Sequence, residues 1–526
     1  MKFSTLSQLR KEGGSMKEIA FPNSHVKLKA MRTAFFLLLL AATCATTRAE
    51  RPNVLIMIAD DLAWGDLSAN GNRHVETPHL DSLIGEGLKF DKFYATPSGA
   101  SSSASLLTGR YHYRTGCVGD AGPEAMMYGS EKTLGDIFGE NDYRTGWFGR
   151  WHHGDNWPHN AAGQGFQFTG PDIAAAIPFL ETKSPEPFMG IVLLPAPRVE
   201  NGEKLSAEER SRKVNEGIAF VDQKVGQLLE LLKTAEQRKN TIVLFLSDNG
   251  PDQFGGTEGR YNGYFYGGKG SVHEGGIRVP CYVSWPGKIQ EGSRFTRITS
   301  LIDWYPTLVE LCELESETRQ LPIDGKSLAP VLRNAGNSEN WPNRIHFTSW
   351  TPEGYAVKEA SVSVRTDRWL ALRDPRWRRD KTILESRSGW ELYDLKTDPF
   401  QSRDLGDEYP FLLSELKADY AFWIDHTTDD GIGPISTHIG HPEWPTVTLR
   451  PNQKMTWPIR VVTDGTYQIE AVFDDGTKPC EILVGNATYR LPGDHTIELN
   501  GDITDIKVTS GKVTALKITS LLQKSE

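Results

Sequence analysis

Cysteine is scarce in this sequence, with five among 526 residues. No CxxC pair and no zinc-like spacing occurs, which argues against structural zinc and thiol redox chemistry. One cysteine lies in an N-terminal apolar segment, and we predict that the other four are buried free thiols. Export would permit a disulfide, but the spacing does not select a pairing. The four are Cys117, Cys281, Cys312 and Cys480.

An excess of positive charge is also lacking. The net charge is −10 and the pI is near 5.8, which argues against nucleic acid as a partner. An anionic substrate would therefore need a local pocket of basic side chains. Internal repeats and low-complexity tracts are absent as well, so the composition is that of a globular chain of two or three domains.

Long hydrophobic runs are missing, so we expect no transmembrane segment. The apolar stretch in residues 31–49 is too short to span a bilayer, and Arg32 precedes it. Residues 47–49 have the small-x-small pattern of a signal-peptidase site. We predict an N-terminal extension and signal peptide over residues 1–49, a true start at Met31 or Met16, and a secreted or periplasmic protein.

Apolar strands and amphipathic helices alternate over residues 50–335. Residues 53–59 (NVLIMIA) and 241–246 (TIVLFL) are nearly continuous apolar runs, typical of parallel strands covered on both faces. An apolar helical stripe lies between them, at Val214, Ile218, Val221, Val225, Leu228 and Leu232. The pattern predicts an α/β domain with helices flanking a sheet.

The pattern changes after residue 335. Short strands at 357–372 and 390–395, followed by a helix at 410–423, predict a small α+β subdomain over residues 336–426.

The last segment, residues 427–526, starts with a polar linker. From Val447 onward, short strand patterns alternate with turn signals such as Asp464-Gly465 and Asn500-Gly501. This alternation predicts an appended β-sandwich, an accessory domain for which carbohydrate binding is one interpretation.

Carboxylates follow two of the apolar strands. Asp60 and Asp61 come after the first, and Asp248 and Asn249 come after the later one. Sites in parallel α/β sheets gather at the carboxyl ends of strands, and an all-oxygen set suits Ca²⁺ or Mg²⁺. Taken singly, each pair would equally fit a strand-to-loop turn with an Asx cap.

Seven stretches together resemble the arylsulfatase family. They are PNVLIMIADDLAWGDL (52–67), ETPHLDSLIGEGLKFDKFYA (76–95), ASLLTGRYHYRTG (104–116), RTGWFGRWHHG (144–154), FLSDNG (245–250), GGKGSVHEGGIRVP (267–280) and WELYDLKTDP (390–399). The resemblance covers about residues 51–426. It implies an alkaline-phosphatase/sulfatase-like mixed sheet and hydrolysis of sulfate esters. It also implies Ca²⁺ and a formylglycine nucleophile made from Cys or Ser in a C/S-x-P/A-x-R motif.

The nucleophile position of that motif falls on Gly99, and the Pro and Arg positions fall on Ser101 and Ser103. Glycine has no side chain to oxidise, so no formylglycine is expected and the family's covalent mechanism is excluded. Ser98, one residue out of register, is a possible substitute nucleophile at what should be a helix N-terminus.

Other family positions are kept or exchanged for arginine. By resemblance, Asp60, Asp61, Asp248 and Asn249 are the metal ligands, and His152 and Lys269 are catalytic. Arg150 replaces a family lysine and Arg198 a family histidine. Both arginines, with Lys269, are expected to bind an anion, but arginine does not donate a proton near neutral pH.

The sequence therefore predicts a sulfatase-like hydrolase of sulfated carbohydrate, in which His152 activates water or a serine attacks. A first alternative is a non-catalytic protein that binds sulfated or otherwise anionic carbohydrate. A second is a glycosidase or phosphoester hydrolase on the same fold. The glycan, the bond cleaved and the oligomeric state stay open.

Overall fold

The computed structural model describes most of the chain after residue 50. The described residues are 51–120, 122–197, 199, 205–252, 260–316, 321–339, 341–351, 360–375, 389–428, 435–442, 444–450, 455–473, 479–492, 495–501 and 505–521. The predicted signal peptide and Arg198 lie outside them. No helix in the described ranges is both long and apolar enough to cross a membrane.

Helices and strands alternate in the described residues between 51 and 315, and strands dominate the later part. The helices of the described part are α1 Pro78–Gly85, α2 Gly99–Thr108, α3 Leu134–Glu140, α4 Ile173–Glu181, α5 Ala207–Thr234, α6 Glu274–Ile277, α7 Trp304–Leu311, α8 Ala329–Arg333 and α9 Pro410–Thr428. The strands up to the end of the first sheet system are β1 Asn53–Ala59, β2 Leu88–Phe90, β3 Phe93–Tyr94, β4 Arg144–Phe148, β5 Phe168–Gly170, β6 Phe188–Leu194, β7 Thr241–Ser247, β8 Cys281–Ser284, β9 Ser293–Phe295 and β10 Thr299–Ser300. The later strands are β11 His346–Trp350, β12 Ser361–Arg365, β13 Trp369–Arg373, β14 Glu391–Asp394, β15 Thr437–Ile439, β16 Thr446–Leu449, β17 Thr456–Val461, β18 Gly465–Val472, β19 Cys480–Val484, β20 Ala487–Leu491, β21 His495–Leu499, β22 Asp505–Ser510 and β23 Ala515–Ser520.

The central sheet has eight strands in the order β5-β4-β6-β1-β7-β8-β2-β9. The first five are mutually parallel, whereas β8 runs antiparallel to both β7 and β2, so the predicted mixed sheet is confirmed. Strands β1 and β7 pair directly, from Asn53 opposite Thr241 to Ala59 opposite Ser247. This register brings the residues that follow the two strands to the same edge of the sheet.

Helices cover both faces of this sheet, as the apolar strands predict. Val54 and Ile56 of β1 face one hydrophobic cluster, while Leu55 and Met57 face the other. The predicted helical stripe is α5, and all six of its apolar residues are buried in the second cluster. Apolar residues repeat with a period of two in the strand and of about 3.6 in the helix, and those of both elements pack in one core.

A smaller antiparallel sheet, β11-β12-β13-β14, packs against α9. The helix was expected to end at Trp423, but it continues to Thr428. The predicted linker from residue 427 is therefore wrong in its first two residues. Thr427 and Thr428 are compatible with a helix, and their hydroxyls donate to the carbonyl oxygens of Trp423 and Ile424 one turn earlier, so both hydroxyls are satisfied within the helix.

The final strands form two sheets around a shared core. One has the order β15-β17-β22-β19-β20 and the other β16-β23-β18-β21. Alternate residues of both sheets, for example Ile482 and Ile518, are fully buried in one hydrophobic cluster. The predicted β-sandwich is therefore present. The four predicted thiols, in this region and elsewhere, are all free and buried.

Glu131 carries a buried charge that the fold tolerates poorly. Burial raises its pKa to about 7, although Arg110, whose Nε lies 3.3 Å from Oε2, acts in the opposite direction. Between pH 4.5, the usual pKa of glutamate, and about pH 7, the folded state therefore holds this proton while the unfolded chain has released it. The contribution of protonated Glu131 to the free energy of unfolding is therefore full below the unfolded pKa, and it is lost as pH rises to about 7.

We expect Glu131→Gln to remove this part of the pH dependence of stability. Across that interval the wild type should lose roughly 3 kcal/mol relative to the variant, at about 1.4 kcal/mol per pH unit. Urea unfolding between pH 4.5 and 8 would measure the difference. Glu208→Gln, at an exposed position, is the control and should keep the wild-type profile. Parallel profiles for wild type and Glu131→Gln would contradict the prediction.

Candidate active site

Three carboxylates meet where β1 and β7 end. Ligand atoms of Asp60, Asp61 and Asp248 all lie within 4.8 Å of one another. The in-register pairing of the two strands accounts for this, because Asp248 directly follows the partner of the residue before Asp60. Asp61 and Asp248 are buried, and Asp60 is half-buried.

The backbone at Asp61 is held in an unusual conformation. Its φ is +54°, in the left-handed region that costs a non-glycine residue on the order of 1–3 kcal/mol. The Asp61 N–H donates to Oδ1 of Asp248 at 3.0 Å, and Arg260 donates to the Asp61 carbonyl at 2.8 Å. Such strain persists where surrounding contacts fix the geometry, and here it directs a second carboxylate into the cluster.

The donor set fits a hard divalent cation. Burial, then the charges of Asp60 and Asp61, raise the pKa of Asp248 well above its usual range. Asn249 donates from Nδ2 to Oδ1 of Asp61 at 2.7 Å, while its own buried Oδ1 has no hydrogen-bond partner among the described residues. Crowded carboxylates with an amide oxygen beside them are a ligand environment suited to Ca²⁺ or Mg²⁺.

Cationic side chains adjoin the cluster. Nζ of Lys269 lies 2.7 Å from Oδ1 of Asp61. Burial alone would lower the pKa of Lys269, but the neighbouring carboxylates outweigh it and raise the pKa. Arg150, just after β4, is exposed and lines a cleft of about 420 Å³ together with Asp60, Phe220 and Lys224. The cleft therefore opens beside the acidic cluster and has cations on its walls.

Gly99 is the first residue of α2 and faces the cluster. A Cβ built on Gly99 would lie 2.6 Å from Oδ2 of Asp248 and 3.6 Å from Nε2 of His152. A side chain at this position would therefore reach both the acidic cluster and the imidazole. The sequence alignment of residue 99 with a nucleophile position is compatible with this direction.

His152 is held as a neutral imidazole. Burial, followed by the charges of His153, Arg150 and Lys269, lowers its pKa to about 3. Its Nδ1 is buried and has no hydrogen-bond partner in the described part of the chain. The ring thus offers one hydrogen-bond donor and one acceptor near residue 99, but no positive charge at neutral pH.

Ser98 serves as the N-cap of α2. Its buried hydroxyl lies 2.8 Å from the Ser101 hydroxyl, which is 2.6 Å from that of Thr96. Ser98 also hydrogen-bonds Asp120, whose pKa is raised by burial and which senses the charge of Lys269. Ser98 therefore lies in a network of hydroxyl groups and is linked to the carboxyl group of Asp120.

Two parts of the site were missed by sequence reasoning. Asp120 comes from a loop without a recognisable motif, so only the fold reveals it. The hydroxyl of Ser103 lies 2.8 Å from Nε2 of His153, a contact between residues 50 positions apart. The adjacent residues His152 and His153 were the available signal for this contact in the sequence, but they did not indicate that Ser103 would be the partner of His153.

The β-sandwich contacts the segment that follows these histidines. Asn156 donates to the Thr448 carbonyl at 2.9 Å and accepts from the Thr448 N–H at 3.0 Å. Arg450 and Asp155 form an adjacent ion pair at 2.5 Å. The accessory strands therefore hold the segment that carries His152 and His153 in place.

Family models and known proteins that resemble this chain identify its family. A family model described as "Sulfatase" matches residues 52–189 and 194–314, and one described as "N-sulphoglucosamine sulphohydrolase, C-terminal" matches residues 262–418. The chain belongs to the sulfatase family. Mouse N-acetylgalactosamine-6-sulfatase is 30% identical over 347 residues, covering 54% of this chain and 66% of that relative, just under two thirds of its length. Human arylsulfatase A is 26% identical, covering 70% of this chain and 86% of that one.

Solved structures of sulfatases share the fold. The PsFucS1 sulfatase from Pseudoalteromonas sp. superposes with a TM-score of 0.59 at 20% identity, covering 79% of this sulfatase-family chain and 96% of that one. A structure described as Ps i-CgsB in complex with k-i-k-neocarrahexaose also has a TM-score of 0.59, at 24% identity, covering 71% and 92%. At these identities the likeness establishes the alkaline-phosphatase/sulfatase-like fold.

The cation site predicts that the effect of one substitution on stability depends on whether a divalent cation is present. Asp248→Asn keeps an oxygen that accepts from the Asp61 N–H. It removes a carboxyl group whose charged form is disfavoured by burial. In EDTA the variant should be at least as stable as the wild type. Ca²⁺ should raise the melting temperature of the wild type and have little effect on the variant.

Thermal unfolding with EDTA and with millimolar Ca²⁺ would measure the change in melting temperature, and calorimetric titration would measure Ca²⁺ binding. Asp425→Asn on the exposed face of α9 is the matched control and should respond to Ca²⁺ like the wild type. A wild-type melting temperature that ignores both Ca²⁺ and Mg²⁺ would refute the cation site.

Proposed function

We propose that this sulfatase-family protein is a metal-dependent hydrolase of sulfated carbohydrate that works without a formylglycine. The observation that carries the proposal is the position of Gly99. Its missing side chain points between Asp248 and His152, while the acidic cluster and Lys269 beside it are complete. The nucleophile of the family reaction is absent, but the groups that bind a cation and an anion are retained.

The side chains divide into three roles. Asp60, Asp61, Asp248 and Asn249 would hold Ca²⁺, or Mg²⁺, which when bound supplies Lewis-acid polarisation of the ester oxygens. Lys269 and Arg150 would bind the anionic group from the cleft side, with Arg150 offering two parallel donors. The neutral imidazole of His152 can accept a proton from water next to residue 99.

The substrate class rests on the relatives and on the cleft. N-acetylgalactosamine-6-sulfatases are among the curated relatives, and the Ps i-CgsB structure contains a neocarrahexaose. The 420 Å³ cleft beside Asp60 has room for a sugar, and Phe220 gives it an apolar wall between the cations Arg150 and Lys224. A sulfated or otherwise anionic carbohydrate fits both features.

We also propose the location and the domain boundaries on sequence grounds. The N-terminal pattern of residues 1–49 supports a secreted or periplasmic protein. Residues 50–335 would form the catalytic-type domain, 336–426 the C-terminal subdomain, and 427–526 the accessory β-domain.

Two further functions have an observation in their favour. The lack of any side chain at Gly99 equally favours a protein that binds sulfated glycan without turnover. The hydroxyl of Ser98, which hydrogen-bonds Asp120, favours a serine nucleophile. Unmodified, it would act on a phosphoester, and converted to an aldehyde it would act as in an ordinary sulfatase. A glycosidase built on this fold is the remaining alternative, and the same experiment separates all of them.

The decisive experiment incubates the purified protein with a panel of sulfated oligosaccharides and reads product masses with and without EDTA. We expect loss of sulfate that requires the cation. His152→Ala should lower kcat by about 10²-fold or more, the usual contribution of a proton-transfer group. Lys269→Ala should mainly weaken binding, because it removes a cation next to the anion site. Arg294→Ala, at a remote exposed position, is the control.

Each other outcome selects another function. Glycan binding without any product would refute the hydrolase and support the binding protein. Cleavage of a glycosidic bond would identify a glycosidase, and release of phosphate from phosphorylated analogues a phosphoester hydrolase. The mass of a peptide over residues 92–110 tests the Ser98 alternative, since conversion of a serine to an aldehyde would appear there, and an unmodified mass would eliminate it.

A further inference from the structure

A small cavity lies directly beneath the missing side chain of residue 99. Its free space accommodates about one water molecule. Its lining is mostly apolar, from Ile58, Leu106, Trp147, Leu193, Leu246 and Leu301, and it also includes Gly99, Ser102, Ser103, His152 and Asp248. A water molecule is stable in such a cavity only if several polar partners face it, and the last four of these residues carry the polar side chains that could do so.

The helix explains why the cavity exists. Residues 99 and 103 lie four apart in α2, so they are on the same face and one turn from each other. Glycine and serine are both small, and neither fills the space between the helix and the end of β7. The two positions therefore open one common cavity next to the acidic cluster.

The hydrogen bonds around His153 fix its tautomer. Nδ1 lies 2.7 Å from the carbonyl oxygen of Ala125, which can only accept, so Nδ1 carries the hydrogen. Burial lowers the pKa of His153 to about 4, so the ring is neutral and Nε2 has no hydrogen. Nε2 can then accept from the Ser103 hydroxyl, 2.8 Å away. The carbonyl oxygens of Gly99 and Ala100, at 2.9 and 3.1 Å from the Ser103 oxygen, are the other acceptors within reach of that hydroxyl, but Nε2 is the nearest.

The resulting arrangement is that of a hydroxyl activated by an imidazole. Ser103 lines the cavity and donates to a fully buried His153, which is oriented by a third group, the Ala125 carbonyl. A hydroxyl, a base and a group that orients the base are the components of proton-transfer systems in hydrolases. The Ser103 oxygen keeps free lone pairs that can face the cavity.

We propose that this cavity holds the hydrolytic water molecule, and that Ser103 and His153 relay a proton away from it. The inference rests on the proposed function and refines it in two ways: it gives the position of the attacking water, and it makes Ser103 and His153, rather than His152, the groups that take up the proton. His152 lines the same cavity, where it would hydrogen-bond and orient this water. Ser103 is the catalytic residue that touches this water, and His153 is a positioning residue that acts through Ser103.

The step balances for a sulfate ester. The water gives one proton to Oγ of Ser103 while the Ser103 proton moves to Nε2 of His153. The water oxygen forms a bond to sulfur, and the bond from sulfur to the sugar oxygen breaks. The sugar oxygen takes a proton from solvent, hydrogen sulfate leaves, and His153 returns its proton through Ser103 to solvent. No oxidant, reductant or covalent enzyme intermediate is needed.

The first test is direct observation of the site. A high-resolution crystal structure of the full chain should contain a water molecule within hydrogen-bond distance of Ser103 Oγ. Gly99→Ala should displace that water, because the added Cβ would enter the space beside Asp248 and His152. A dry cavity in the wild type would overturn the water site.

The second test compares two buried serines of the same helix. Ser103→Ala should lower kcat about 10²-fold with little change in KM, and reduce the solvent deuterium isotope effect on kcat towards unity. His153→Gln should do the same. Ser105→Ala is the matched control, since Ser105 is buried in α2 but does not line the cavity, and it should behave like the wild type.

The outcomes separate this inference from the function beneath it. A wild type with no turnover on any substrate refutes the proposed function, and with it the relay. Normal turnover and an unchanged isotope effect in Ser103→Ala overturn the relay alone. A loss of kcat accompanied by a lower melting temperature and an unchanged isotope effect assigns Ser103 and His153 a structural role and likewise overturns the relay.

Discussion

The mutual repulsion of three carboxylates at the end of two paired strands is the constraint on which the site depends. Strands β1 and β7 pair in register, so the carboxylates of Asp60, Asp61 and Asp248 lie close together. Burying such charges together is unfavourable unless cations compensate them. Lys269 contacts Asp61 directly, and Arg260 fixes the strained Asp61 backbone through its carbonyl. A divalent cation among these oxygens would complete the compensation of charge. Its binding would also offset the energetic cost of the strained backbone at Asp61.

The charge around the cluster would also account for the proposed binding of an anion. A divalent cation with Lys269 and Arg150 outweighs the three carboxylates, so the mouth of the cleft would be positive although the whole chain carries −10. A local field of this kind attracts an anion that the overall charge repels, because protein walls and short distances limit screening. His152 stays neutral in that field and so contributes hydrogen bonding rather than charge.

The central sheet could be predicted from sequence because a strand buried on both faces leaves a continuous apolar run, as in residues 53–59. The stripe of α5 was equally visible, since a helix that covers a sheet must repeat its apolar residues every three or four positions. The acidic pairs followed from strand ends. In contrast, Asp120 and the contact between Ser103 and His153 join segments that only tertiary packing brings together. The end of α9 was missed because polar threonines there satisfy their hydroxyls within the helix.

The glycine at residue 99, where the proposed function has no nucleophile, has neighbours that fit one another in space. A glycine alone would leave Asp248 and His152 facing an open space, with no group to position what enters it. Ser103, one helical turn away, opens a cavity there, and His153 supplies a neutral acceptor that makes the Ser103 hydroxyl point in a defined direction. Burying polar groups is costly unless they are hydrogen-bonded, and Ser103 and His153 meet that condition through each other and through the Ala125 carbonyl. In the proposed function the carboxylates bind the cation and this pair positions the water, so together they supply what a side chain at residue 99 would have supplied.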